Sequence, residues 1–125
     1  MGSQVNSENN EFYPTLADNN NLYYTMESNS GLGKDDIYCC KWDGTNYSKP
    51  ILLDTHINSD GYEFNAFISR DEQMLIYTKY NTDDGFGSRR SNLTPQSFAS
   101  IQEFQAYVTA NENGLSKIYK CKIKL

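Results

Sequence analysis

The sequence predicts an all-β protein assembled from repeated antiparallel units. The main observation is a self-repeat: Val5-Asn6-Ser7-Glu8-Asn9-Asn10-Glu11-Phe12 returns as Ile57-Asn58-Ser59-Asp60-Gly61-Tyr62-Glu63-Phe64. Composition agrees, since 14% of the chain is aromatic, with 10 Tyr and 6 Phe, and flat amphipathic rings pack well on a pleated surface. Polar turns also alternate with short aromatic or β-branched runs along most of the chain. The repeat period, Glu11 to Glu63, is 52 residues. That length suits a four-stranded propeller-type blade with a generous loop, because such blades run to about 40–50 residues. Closed propellers need about four to eight blades. The expected fold is therefore antiparallel β-propeller-type blades that stay incomplete, about two to three of them and not a closed ring.

The first copy reads strand by strand. Phe12 to Leu16 is a first strand, and Asp18-Asn19-Asn20-Asn21 a turn whose side chains bond nearby backbone and tolerate left-handed geometry. Leu22 to Met26 is the second strand. Gly31 and Gly33 in the loop from Glu27 to Lys34 are expected to supply positive φ angles. Asp36 to Trp42 is the third strand. Asp43-Gly44-Thr45-Asn46 is a hairpin signal, and a short fourth strand at about Pro50 to Leu53 lies at an edge, because Pro50 has no backbone donor.

The second copy starts in the same way and then breaks. Phe64 to Ser69 and Met74 to Lys79 match the first two strands, and Asp84-Gly85-Phe86-Gly87 mirrors Ser30-Gly31-Leu32-Gly33. No third strand follows Gly87. Later, Ala106-Tyr107-Val108-Thr109 and Ile118-Tyr119-Lys120-Cys121 match Leu22-Tyr23-Tyr24-Thr25 and Ile37-Tyr38-Cys39-Cys40. One domain, 1–125, is thus divided into a first blade at about 5–55, a partial blade at about 56–87, an irregular segment at 88–105 and a half blade at 106–125. The irregular segment is either a local rearrangement or the scar of an internal deletion.

These fragments, Asn-Ser-x-x-x-Glu-Phe, a polar turn, Leu-Tyr-Tyr-Thr, a Gly-x-Gly loop and Asp-Ile-Tyr, resemble the bacterial TolB-type, WD-repeat-like β-propeller repeat. The likeness covers residues 5–87 well and 106–125 in part. The usual Pro-Asp-Gly turn of that family is replaced by Asp18-Asn19-Asn20-Asn21 and Arg70-Asp71-Glu72-Gln73. The resemblance implies a rigid platform for protein or peptide contacts and a periplasmic, cell-envelope or secreted location.

Composition narrows the chemistry. A net charge of −5 and a pI near 4.7 disfavour a nucleic-acid face, which needs clustered cations. Lys117, Lys120, Lys122 and Lys124 read instead as the wet face of an edge strand protected against aggregation. No run near the start is apolar enough for an export signal or a membrane span. Cys39 and Cys40 are adjacent, so in a strand they face opposite sides and do not share a metal or a disulfide; with Cys121 they read as small buried hydrophobes. His56, the only histidine, sits at the junction of the two copies and reads as a solvated residue. Glu11 and Glu63 occupy equal positions in successive copies, which fits a structural turn ligand better than a pair of catalytic carboxylates.

No nucleophile elbow, phosphate loop or zinc-helix motif is present. The expectation is no catalytic residues, no metal and no cofactor. Weak ligand-binding candidates are the loop acids Asp35, Asp36, Asp83 and Asp84, whose spacing fails the calcium-loop pattern, and Trp42, which reads as packing between units rather than sugar stacking. The expected function is a non-catalytic binding or scaffold module, a fragment of a larger secreted or envelope-associated protein, that presents the loops Glu27–Lys34 and Asn81–Gly87 to a protein, a peptide or a glycan. Unpaired blade edges make self-association a further expectation. The alternative is the remnant of a carbohydrate- or peptide-active propeller enzyme.

Overall fold

A computed structural model describes residues 2–80, 99–109 and 117–123. The elements in order are β1 (Asn10–Leu16), β2 (Leu22–Glu27), β3 (Asp35–Cys40), β4 (Ile51–Leu52), β5 (Tyr62–Ile68), β6 (Met74–Tyr80), α1 (Ile101–Thr109) and β7 (Lys117–Lys122). The protein is all-β apart from α1. Its strands run β1-β2-β3-β5-β6-β7, with β4 also on β3. Every pairing is antiparallel except one parallel pair, Asp35 with Tyr62, which joins β3 to β5. Two meanders result, β1-β2-β3-β4 and β5-β6-β7, and β5 lies against β1, β2 and β3 of the first.

The repeat is structural as well as sequential. Both leading strands carry a bulge at the same place, between Phe12 and Thr15 and between Phe64 and Phe67. The left-handed residue is Tyr13 in one (φ 56°) and Asn65 in the other (φ 54°). An extra residue bends the strand there and sharpens its twist. In the first meander Leu22 pairs with Cys40, Tyr24 with Tyr38 and Thr25 with Ile37. In the second, Leu75 pairs with Cys121, Tyr77 with Tyr119 and Thr78 with Ile118. The paired tyrosine rings stack at 6.3 Å and 26° in one unit and at 5.7 Å and 27° in the other.

Two sequence expectations change here. Ile118 to Cys121 pairs with β6, so it is the third strand of the same unit that Phe64 opens. A match to a strand is local in sequence, whereas the choice of hydrogen-bonded neighbour is not. Leu75, not Met74, takes the place of Leu22, because the Ile68–Leu75 connection is one residue longer than Leu16–Leu22. Ala106 to Thr109, expected as a strand, lies in α1. The start of that helix is specified by Ser100-Ile101-Gln102-Glu103: the Ser100 hydroxyl accepts from Glu103 N–H (3.1 Å), and the Glu103 carboxylate accepts from Ala99 N–H (2.6 Å). That exchange satisfies donors a helix start leaves free and outweighs a four-residue likeness to a strand.

One apolar cluster fills the space between the units: Tyr23, Ile37 and Cys39 from the first meet Ile57, Ala66, Ile68, Leu75 and Tyr77 from the second. The opposite face of the first unit holds Leu22, Tyr24, Met26, Tyr38 and Cys40, with Val5 over them and Tyr47 and Leu52 alongside. Three polar contacts lock the units together. Asn58 Oδ1 accepts from Ile37 N–H (2.8 Å), and its Nδ2 donates to the carbonyls of Ile37 (2.9 Å) and Leu53 (3.0 Å). Glu72 accepts from Asn19 (2.6 Å), Asn21 (2.8 Å) and the Tyr23 hydroxyl (2.8 Å). Lys34 N–H donates to Gly61 O at 2.8 Å.

Gly31 and Gly33 do not have positive φ; close approach is what requires glycine there. A Cβ on Gly33 meets Gly61 O at 2.4 Å and Ser59 O at 2.5 Å, both rigid backbone atoms of the other unit. Gly33→Ala is therefore expected to cost about 1–3 kcal/mol, the range for overpacking a tight contact, read as a lower midpoint in urea at an unchanged slope.

Candidate functional site

The repeated Asn-Ser-x-x-x-Glu segment forms the same turn twice. Ser7 N–H donates to Glu11 Oε1 (3.0 Å), as does its hydroxyl, and Asn9 N–H donates to Ser7 Oγ (3.0 Å). Ser59 repeats this on Glu63, with N–H···Oε2 at 3.0 Å, Oγ–H···Oε1 at 2.5 Å and Gly61 N–H to Ser59 Oγ at 3.2 Å. Both glutamates are committed to turn geometry. Glu63 is also fully buried against Lys79, 3.4 Å away, and burial pushes its carboxyl above the ordinary range despite the Ser59 and Lys79 contacts.

Asp36 organises the loop between β2 and β3. One carboxylate oxygen accepts from Leu32 N–H (2.8 Å) and Gly33 N–H (3.0 Å); the other is buried with no hydrogen-bond partner. A Cβ on Gly31 would fall 2.0 Å from that carboxylate, so glycine makes room for it. Burial raises the Asp36 pKa, and these two hydrogen bonds only partly offset it. Asp35 is raised as well, by burial first and then by Glu27, directly across the strand pair, Asp36 and Glu63. The two aspartates are thus adjacent on β3 but engaged in different ways. Asp83 and Asp84 lie outside the described residues, as does the loop Asn81–Gly87. Among the described residues no group of three or more His, Cys, Asp or Glu is placed to hold a metal ion.

Trp42 was expected on the third strand. β3 ends at Cys40, and Trp42 bridges to Tyr47 across the Asp43-Gly44-Thr45-Asn46 turn, with ring centroids 4.9 Å apart. Asp43 Oδ1 accepts from Thr45 N–H (2.8 Å) and Asn46 N–H (2.7 Å), and Gly44 takes φ 100°, so the turn closes on itself rather than leading β3 directly to β4. His56 is solvated, its side chain 90% exposed and 3.4 Å from Asp54 Oδ1. All three cysteines are free thiols. Burial pushes Cys39 up to about 11 and raises Cys40 and Cys121 as well, so they stay protonated at neutral pH.

The largest concave feature among the described residues is a groove of about 550 Å³ between the outer strands of the two units. Ile51, Leu52, Leu53 and Ile57 from the junction and Cys121 and Ile123 from the end of the second unit give it an apolar floor. Lys41, Lys122, His56 and Asp54 supply polar groups. None of the sequence candidates lines it. Its origin lies in the repeat: β3 has β4 beside it, Tyr38 opposite Leu52 and Cys39 opposite Ile51, while β7, in the register of β3, has no partner on its outer edge among the described residues. The alignment of Ile118–Cys121 with Ile37–Cys40 carried this signal, since it puts an edge where the first unit has a fourth strand. No described helix is long and apolar enough to cross a membrane. No family model, curated protein or solved structure matches this chain.

The raised carboxyls of Asp35, Asp36 and Glu63 give a pH dependence of definite sign. A native state that holds protons more tightly than the unfolded chain gains stability as pH falls through the raised pKa values, and loses it as pH rises. The thermal midpoint is expected to climb as pH is lowered from neutral into that window. Further acidification reverses the gain, because Asp43 and Asp71, held low by local hydrogen bonds, then take up protons. Asp36→Asn keeps an acceptor for Leu32 and Gly33 and removes the buried charge. It should raise the midpoint at neutral pH and flatten the climb, both read by thermal denaturation across a pH series.

Proposed function

We propose that the chain is a non-catalytic binding module of two propeller-type blades, related in style to the TolB-type repeat, and that it captures an extended segment of a protein partner. The segment would add to the outer edge of β7 as a fourth strand, using backbone hydrogen bonds for affinity and the adjoining groove for side chains. The open β7 edge carries this reading, because β4 shows what occupies the equivalent edge of the first unit. Ile37 turns its N–H and C=O toward that edge, where Asn58 and Leu53 meet them. Residues alternate along a strand, so Lys120, in the register position of Cys39, has its N–H toward the open edge of β7. The apolar floor suits small aliphatic side chains such as the Ile51 and Leu52 that β4 itself provides.

The test uses the chain's own fourth strand as probe: a fluorescently labelled peptide, Ser-Lys-Pro-Ile-Leu-Leu-Asp-Thr-His, copied from Ser48 to His56. Saturable binding to the intact protein, lost with a scrambled peptide, is the expected result. Lys120→Pro removes the outward donor at a position where an edge strand tolerates proline. It should abolish binding while the far-ultraviolet spectrum stays unchanged. Peptide binding that survives Lys120→Pro, or none to the wild type, would sink the strand-addition reading.

A further inference from the structure

The contact between the two units is one half of a repeating interface whose other half is exposed at both ends of the molecule. On the first unit, Tyr23, Ile37 and Cys39 are 0% exposed because the second unit covers them. Their register counterparts on the second unit are Ile76, Ile118 and Lys120. These face outward: Ile76 is 39% and Ile118 78% exposed, and beside them Phe67, paired with Ile76, is 59% exposed. At the far end the relation is reversed. Asn58 and Ile68, each 1% exposed, are the second unit's contacts to the first. Their counterparts Asn6 and Leu16 are exposed, Leu16 by 51%, and the Asn6 amide has no hydrogen-bond partner among the described residues.

We propose that a second copy of this chain docks head to tail, its first unit seated on the outer face of β5-β6-β7. The in-chain contact supplies the geometry. Asn6 of the second copy takes the role of Asn58 and pairs with the backbone N–H and C=O of Ile118, as Asn58 does with Ile37. Leu16 takes the role of Ile68 and packs against Ile76 and Phe67. Val5 already lies on its own unit as Ile57 lies on the next, so the docking turn is preformed.

Charge selects this arrangement over a face-to-face dimer. The exposed Lys120 and Lys122 of β7 meet Glu8 and Glu11 of the incoming turn, whereas a face-to-face pair sets those lysines against their own copies. The clamp made by Glu72 has no equivalent, since Asn20 stands in the matching left-handed turn position (φ 65° against 56°). The contact between copies is therefore weaker than the one within the chain. A head-to-tail contact leaves each copy with one free end of each kind, so association continues into a ring or an open chain.

The decisive experiment is complementation, followed by sedimentation velocity over a wide range of protein concentration. Leu16→Asp and Ile118→Asp alter opposite ends at exposed positions, so neither threatens the fold. Wild type is expected to form dimers and larger species reversibly as concentration rises. Each variant alone should be monomeric, and their equimolar mixture should give a heterodimer that grows no further. Asn6→Ala should weaken wild-type association about tenfold, the scale of one hydrogen-bonding group lost. A wild type that stays monomeric, a Leu16→Asp variant that still dimerises, or a mixture that fails to pair would each overturn the proposal.

Discussion

A single buried amide, that of Asn58, stands where β3, β4 and the second unit meet. Backbone groups removed from water must find partners or leave a large penalty unmet. Ile37 shares its carbonyl between Leu53 N–H and Asn58, and its N–H goes to Asn58 alone. The same side chain also closes the Leu53 carbonyl. One asparagine thus completes the edge that the two-residue β4 is too short to complete. By doing so it fixes the turn that starts the second unit, and the remaining contacts follow from its placement. Ile57 enters the shared core, Gly61 O reaches Lys34 N–H, and Tyr62 makes the parallel bridge to Asp35.

The two units are alike in register, bulge and ring stacking, yet their faces meet different environments. Leu75, Tyr77, Tyr119 and Cys121 repeat Leu22, Tyr24, Tyr38 and Cys40. In the second unit they face the shared core, and in the first they lie beneath Val5 and beside Tyr47. Burial is thus set by neighbours and not by repeat position. The same holds for Lys79, which replaces Met26 where a buried glutamate needs a cation. Glu11, half open to water, manages with Met26 beside it. Electrostatics follows the same rule, because Asp36 and Glu63 are raised by the walls around them rather than by any local motif.

Much of the fold was legible in the chain. The Asn-Ser-x-x-x-Glu repeat marked the start of each unit and the structural role of both glutamates, since a turn ligand acts within four residues of itself. Strand order within the first unit followed from turn chemistry at Asp18–Asn21 and Asp43–Asn46 for the same local reason. Trp42 was misplaced because a side chain's strand membership depends on where pairing stops, and that is decided by Tyr47 across the turn. The candidate groove was not legible at all. Its walls come from residues 51–57 and 121–123, which are distant in sequence and carry no shared pattern.

Acting alone, the sequence determined the all-β class, the 52-residue unit and the identity of the strands that carry it. These are properties of local pattern: period, alternation and turn residues. Tertiary structure decided that Ile118–Cys121 completes the unit opened by Phe64, that Gly31 and Gly33 are needed for space and not for φ, and that one face of the repeat is covered while its copy is exposed. Each of these depends on which surfaces meet, and close packing between distant segments is not written in any one of them.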